Sequence, residues 1–135
     1  MKLDLVTVVY AEELQMLEMQ ARSMALRFKP EHVNQIIVLV NDDLSVAGMI
    51  DPEWFGHLKY CTSVATRDLF GYSPAAGISG WQSQQVMKLL GVAASNADWC
   101  MVLDAKTWFI KDYDPWLFFD DGRAKMDRYK VPDVF

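Results

Sequence analysis

The hydrophobic pattern begins with a strand, a helix and a second strand. Leu3–Tyr10 is apolar or β-branched at nearly every position, which is typical of a strand buried on both faces. Glu12–Phe28 changes to a period of three or four residues, which predicts a helix, and Pro30 ends it. Its apolar stripe comprises Leu14, Leu17, Ala21, Met24 and Phe28. Gln35–Val40 is a second buried strand, and a crossover of this length makes the two strands parallel.

Shorter signals occupy the middle of the chain. Asp51 followed by Pro52 predicts an N-cap and the first residue of a short helix that continues through Leu58. Cys61–Thr66 is predicted as a short third strand. Gly71–Gly80 contains three glycines and a proline, so it is predicted as a loop.

A second helix and a last strand follow. Trp81–Ser95 is predicted as a helix whose apolar face consists of Val86, Leu89, Leu90, Ala93 and Ala94. Asp98–Leu103 is predicted as a strand, and Thr107–Ile110 as a brief extension of it. Alternation of helices with buried strands predicts an α/β fold, a three-layer α/β/α sandwich with a mostly parallel sheet. We expect one domain over residues 1–135, with a core in 1–111 and an aromatic and charged extension in 112–135.

Composition and charge narrow the range of possible functions. Hydrophobic residues make up 52% of the chain and charged residues 23%, which is typical of a globular domain. The net charge of −5 argues against a nucleic-acid partner, which needs a concentrated basic face. The longest apolar runs, Ile36–Val40 and Trp99–Leu103, are too short to span a membrane, and no signal peptide is recognisable at the N-terminus. We therefore expect a cytoplasmic protein.

Candidate chemistry lies where the predicted strands end, because ligands of parallel α/β sheets bind at the carboxyl ends of the strands. Asn41, Asp42 and Asp43 follow the second strand, and they suit either a nucleoside contact or a plain turn. Asp104 ends the last strand, where a carboxylate can hold a divalent cation or cap the next turn. No glycine-rich phosphate loop follows the first strand, which argues against a dinucleotide enzyme or a P-loop nucleotidase.

One face of the second helix carries polar groups. Gln84, Gln85 and Lys88 follow Trp81 at i+3, i+4 and i+7, so the four residues share one side of the helix. Two amides and an ammonium group suit a phosphate or a sugar hydroxyl, although a solvated helix face is the commoner explanation of such a row. Trp81 itself is interpreted as a packing residue at the helix start.

Two segments carry a resemblance to a known family. Trp81–Leu89, followed by Leu103–Phe109, resembles bacterial and phage sugar-transferase-like proteins that are similar to nucleotide-sugar glycosyltransferases of the A-type (GT-A) fold. Those proteins carry a Gln-Gln-x-x-Lys-Leu helix and a strand ending in Leu-Asp-Ala-Asp-Thr. The resemblance extends from about Asp4 to about Asp112. It implies a Rossmann-like architecture with the first strand between the second and the last.

The resemblance also implies a function and a set of site residues. It predicts transfer of a glycosyl group from a nucleotide-diphosphate sugar to an acceptor. The resemblance and the helix-face pattern together predict these substrate-binding residues: Tyr10, Ala11, Glu12, Asn41, Asp43, Gln84, Gln85, Lys88 and Lys106. Asp104 matches the first residue of the family's Asp-x-Asp motif, which holds Mn²⁺ or Mg²⁺ on the diphosphate. Lys106 stands at the second Asp, where it can contact a phosphate directly but cannot ligate a hard cation.

An alternative function stays open: a truncated GT-A-like module that binds or assembles without catalysis. It is favoured by Lys106 and by the 31 residues that follow Asp104, which are fewer than the family usually has. We also expect a homodimer, because four aromatic residues crowd one short segment and exposed apolar patches often mark interfaces. They are Trp108, Trp116, Phe118 and Phe119.

Overall fold

Four parallel strands form the centre of the fold. The computed structural model describes residues 2–63 and 80–126. The strands are β1 (Leu3–Val9), β2 (Val33–Val40), β3 (Tyr60–Ser63) and β4 (Trp99–Asp104), followed by a two-stranded hairpin of β5 (Phe119–Asp120) and β6 (Arg123–Ala124). The α-helices are α1 (Leu14–Arg27), α2 (Leu44–Ala47), α3 (Gly80–Ala93) and α4 (Pro115–Phe118), and 3₁₀-helices cover Ala11–Glu13 and Pro52–Phe55.

The sheet has the strand order β3-β2-β1-β4. β1 therefore lies between β2 and β4 and pairs in parallel with both; Val6 lies opposite Ile37 on one side and Val102 on the other. All seven residues of β1 are buried, as expected for a strand covered on both faces. The predicted α/β class, the parallel pairing and the central position of the first strand are confirmed.

A helix packs against each face of this sheet. On one face, Leu17, Ala21 and Met24 of α1 join a cluster with Leu5 and Val9. On the other face, Met87 of α3 packs with residues of the two central strands, namely Val6, Val8, Ile37 and Leu39. Because strand side chains alternate between faces, β1 contributes to both clusters. The apolar stripe predicted for α1 is thus the face that it buries.

The apolar face predicted for α3 is wrong. Leu89 is 71% exposed, whereas Ser83, Met87 and Gly91 are the buried positions, together with Gln84. The reason is the close approach of the helix to the sheet. A Cβ atom on Gly91 would lie 2.6 Å from both Leu39 Cδ1 and Val6 Cγ1. The helix therefore turns Ser83, Met87 and Gly91 toward the sheet and leaves Leu89 in solvent.

The predicted strand extension at Thr107–Ile110 is also wrong, because side chains of α1 hold this backbone. Gln20 Nε2 donates hydrogen bonds to the carbonyls of Asp104 (2.6 Å) and Thr107 (2.8 Å), and the backbone N–H of Phe109 donates to Ser23 Oγ (3.0 Å). A segment bound in this way has no need of a strand partner.

The shorter elements differ from their predictions mainly in extent. Asp51 does cap a short helix, because its carboxylate accepts from the N–H of Glu53, but this 3₁₀-helix ends at Phe55 rather than Leu58. The third strand is Tyr60–Ser63, and the rest of predicted Cys61–Thr66 lies outside the described residues, as does predicted loop 71–79. Within residues 2–63 and 80–126, no helix has the length and hydrophobicity needed to cross a bilayer.

Candidate functional site

A polar pocket of about 320 Å³ lies at the carboxyl ends of β1 and β4. Six of its eight lining residues are among the site residues predicted from sequence: Tyr10, Gln84, Gln85, Lys88, Asp104 and Lys106. Tyr10 directly follows β1, and Asp104 is the last residue of β4. This is the edge at which parallel α/β sheets bind their ligands. The fold therefore brings the polar face of α3 and the end of β4 to one place.

The other two lining residues, Glu13 and Trp81, were not predicted as site residues. Trp81 lies in the first turn of α3 and is 69% exposed, so its interpretation as a packing residue is wrong. Glu13 ends the 3₁₀-helix after β1 and is only 6% exposed. In the sequence Glu13 looks like an ordinary acidic residue of a first helical turn, and nothing local indicates that it is buried.

Two ion pairs cross the pocket. Lys88 Nζ donates to Asp104 Oδ1 and so links α3 to the end of β4. Lys106 Nζ lies 3.5 Å from Glu13 Oε1. The four charges sum to zero. Each lysine thus already has a carboxylate partner, with which an anionic ligand would have to compete.

The pocket also holds hydrogen-bonding capacity that the described residues do not use. Glu13 Oε2 is buried and accepts no hydrogen bond from them. Gln84 is 9% exposed, and no side-chain hydrogen bond joins Gln84 or Gln85 to the described part of the chain. Buried polar groups in native proteins are almost always satisfied by protein, water or ligand. The amides of Gln84 and Gln85 are therefore available to a bound molecule.

Gln20 anchors the turn that carries Asp104 and Lys106. This residue of α1 is fully buried and binds the carbonyls of Asp104 and Thr107 through one side-chain nitrogen. The N–H of Thr107 also donates to the carbonyl of Asp104 at 2.9 Å, which closes the turn. Sequence reasoning missed Gln20, although a polar side chain next to the apolar stripe of a helix is a usable signal.

Replacing Gln20 with methionine is expected to lower the free energy of unfolding by about 1–3 kcal/mol, because the carbonyls of Asp104 and Thr107 each lose one hydrogen bond while side-chain volume is kept. Urea unfolding measures the change, and hydrogen exchange of the Thr107 amide reports on the turn. Gln15→Met, an exposed position of the same helix, is the control. Equal stability of the two variants would contradict an anchoring role for Gln20.

The remaining predicted site residues do not line the pocket. Asn41 Nδ2 donates to Ser83 Oγ (3.0 Å), and Asp43 accepts from the N–H of Ser45 as the N-cap of α2. Asp42 Oδ2 accepts from the N–H of Ala11 at 3.0 Å. Ala11, also a predicted site residue, is thus bound through its backbone N–H, and Glu12 is exposed beside it. The loops after β1 and β2 are thus joined to each other and to α3 by structural contacts.

No protein-family model matches this chain, and no curated protein or solved structure is significantly similar to it. The resemblance noted in two segments therefore stays a prediction from the sequence. The chemistry of the pocket has to be judged from its own residues.

The described residues of this pocket do not offer the ligands that a divalent cation needs. Among the described residues, no three His, Cys, Asp or Glu side chains come together as a metal site. The Asp104 carboxylate is paired with Lys88, and Lys106 occupies the position of the second carboxylate of the family motif. A protonated lysine repels a metal ion and cannot ligate it. The Mn²⁺ or Mg²⁺ that the resemblance implies has no suitable donor set here.

Proposed function

We propose that the chain is a GT-A-like domain that binds a nucleotide-diphosphate sugar for transfer of its glycosyl group to an acceptor. The observation that carries the proposal is that Lys88 and Lys106 line one pocket at the carboxyl ends of β1 and β4. The proposal includes a Rossmann-like sandwich architecture and the cytoplasmic location expected from the sequence. It differs from the family pattern in needing no metal.

The lysines take over the role of the cation in this proposal. Phosphate oxygens accept charge-assisted hydrogen bonds from ammonium groups, and two lysines that line one pocket can contact both phosphates of a diphosphate. Each lysine must first leave a carboxylate, Asp104 or Glu13. Binding is therefore weaker than to two unpaired lysines. It falls with salt, since ammonium–phosphate contacts at a solvent-accessible site are screened.

Removing a pocket lysine is expected to weaken nucleotide binding about tenfold or more, since a hydrogen bond to a charged group contributes about 1.5–3 kcal/mol. Calorimetry with uridine, guanosine and adenosine diphosphates and their sugars, with Mn²⁺ and with chelator, measures it. We expect metal-independent binding to the parent, a loss in Lys88→Ala and Lys106→Ala, and no change in Lys111→Ala, an exposed lysine outside the pocket. No binding of any nucleotide by the parent would refute the proposal.

A second candidate is a module of the same fold that binds or assembles without catalysis. One observation favours it: both carboxylates of the pocket, Glu13 and Asp104, are paired with lysines. Neither is then a free base for activating an acceptor hydroxyl. Incubation of the bound nucleotide sugar with simple alcohols and water separates the candidates, because only a transferase releases nucleoside diphosphate faster than the same mixture without protein.

We also propose a homodimer that forms through apolar surface near the end of the described chain. Ile110, Trp116 and Leu117 are 76%, 72% and 63% exposed, whereas Phe119 is buried and belongs to the core. Light scattering is expected to give twice the chain mass for the parent and the monomer mass for Trp116→Lys. Leu26→Lys, an equally exposed apolar position on α1, should stay dimeric. A monomeric parent at high micromolar concentration would exclude the dimer.

A further inference from the structure

An exposed aromatic ring forms one wall of the pocket. Trp81 is 69% exposed, and it precedes Gln84 and Gln85 by three and four residues on the same side of α3. An exposed indole beside two amides offers a flat apolar face together with donors and acceptors. Small-molecule pockets are commonly lined by aromatic side chains together with a few polar groups.

The side-chain amides of Gln84 and Gln85 line the pocket and have unused hydrogen-bonding groups. Gln84 is nine-tenths buried, lines the pocket and makes no side-chain hydrogen bond to the described residues. Glu13, buried on the pocket wall, has an oxygen that accepts nothing from them. Amides both donate and accept, which matches a ligand rich in hydroxyl groups, since each hydroxyl also does both.

Charge and size favour a neutral ligand. The lysines and carboxylates of the pocket cancel, so a neutral ligand enters without breaking either ion pair. An anionic ligand has to displace Asp104 or Glu13 from its lysine. The volume of about 320 Å³ is at the lower end of the range for small-molecule pockets, roughly 300–1,000 Å³. That space is sufficient for one sugar ring.

We propose that this pocket binds a neutral sugar ring by itself, without a nucleotide and without a divalent cation. The ring packs its C–H face on Trp81, and its hydroxyl groups bind the amides of Gln84 and Gln85. The inference rests on the proposed function only in using the same pocket. It names the sugar ring as a group that the pocket recognises in its own right, whether or not a diphosphate is attached.

The test uses ligand-observed NMR on the full chain with chelator present. The probes are methyl glycosides of glucose, galactose, mannose and N-acetylglucosamine at millimolar concentration. Sorbitol is the matched control ligand, since it has the hydroxyl groups without the ring, and uridine and adenosine test for a nucleobase instead. Trp81→Leu and Gln84→Met remove the aromatic face and the buried amide. Leu26→Ala is the control variant, because Leu26 is similarly exposed (78%) and lies on α1, outside the pocket and outside the proposed dimer surface.

We expect at least one glycoside to bind and sorbitol not to bind. Trp81→Leu should weaken glycoside binding by about fivefold to tenfold, Gln84→Met by a similar factor, and Leu26→Ala should bind as the parent does. Circular dichroism confirms that each variant folds. No glycoside binding, equal binding of sorbitol, or binding of nucleosides alone would overturn the inference. Glycoside binding without nucleotide-sugar binding would support the inference and refute the proposed function. Nucleotide-sugar binding without glycoside binding would support the proposed function and refute the inference.

Discussion

Replacing Asp4 with alanine is expected to lower the free energy of unfolding by about 3–5 kcal/mol, since three partly buried donors lose the buried carboxylate that accepts from them. Asp4 lies in β1 and is fully buried. Its Oδ1 accepts from Asn34 Nδ2 at 2.9 Å, and its Oδ2 accepts from Gln35 Nε2 at 3.0 Å and Ser95 Oγ at 2.7 Å. This carboxylate therefore joins the two central strands to the segment between α3 and β4. Urea unfolding at neutral pH measures the loss.

The same carboxylate predicts a dependence on pH. Burial acts to raise the pKa of Asp4, but the hydrogen bonds from Ser95, Asn34 and Gln35 outweigh it and hold the pKa below its usual value of 3.8. A carboxyl whose pKa is lower in the folded state stabilises the fold above the unfolded pKa. That contribution disappears as the pH falls through the folded pKa. The stability difference between the parent and Asp4→Asn should thus be full near neutral pH and shrink below about pH 3.8.

Asp98→Ala is the control for both measurements, because Asp98 is an exposed carboxylate just before β4. It should change the unfolding free energy by no more than about 0.5 kcal/mol, as surface substitutions usually do. A difference between the parent and Asp4→Asn that stays constant from pH 7 to pH 2.5 would show that the hydrogen bonds do not depend on the charge of Asp4.

The central strands and α1 could be predicted because their patterns are local. β1 is buried on both faces, so all of its residues except Asp4 and Thr7 are apolar. α1 buries the stripe that its period of three or four residues indicates. Parallel pairing then follows from the crossover alone. In these two elements the burial of side chains determines the hydrophobic pattern, so the pattern predicts which side chains are buried.

α3 could not be predicted in the same way, because its packing depends on distance from the sheet. The apolar periodicity favoured the face with Leu89, yet this residue is 71% exposed. Gly91 faces the sheet because the space between α3 and the strands leaves no room for a side chain. A glycine within a helical pattern is usually counted as a weakness of the helix. In this helix it marks the line of closest approach.

Part of the candidate site could be predicted, because some of its residues follow local patterns in the sequence. The polar face with Gln84, Gln85 and Lys88 is a local pattern, and the fold rule for strand ends indicates Asp104. Their meeting in one pocket depends on contacts between distant parts of the chain. Gln20 binds Asp104 across 84 positions of sequence, and Glu13 approaches Lys106 from the other end of the chain. No spacing within one element encodes such contacts.

Replacing Gly91 with leucine is expected to lower the free energy of unfolding by about 3 kcal/mol, at the upper end of overpacking costs. The new Cβ alone would lie 2.6 Å from Val6 Cγ1 and Leu39 Cδ1, and both neighbours are buried in the central strands. Gly91→Ala should cost less, because alanine favours a helix by about 1 kcal/mol over glycine and offsets part of the clash. Ala93→Leu, an exposed position of the same helix, should change stability little.

A double-mutant cycle locates the clash. Val6→Ala removes one of the two methyl groups that the new Cβ meets, so Gly91→Ala should cost less in the Val6→Ala background than in the parent. An exposed valine on α3, Val92, gives the control background Val92→Ala, in which the cost should be unchanged.

The Gly91 and Ala93 variants also test the link between helix position and the pocket, since α3 carries Trp81, Gln84 and Lys88. If the helix has to move outward, ligand binding should weaken in Gly91→Leu and persist in Ala93→Leu. Equal stability and equal binding of these two variants would show that α3 does not lie as close to the sheet as Gly91 indicates.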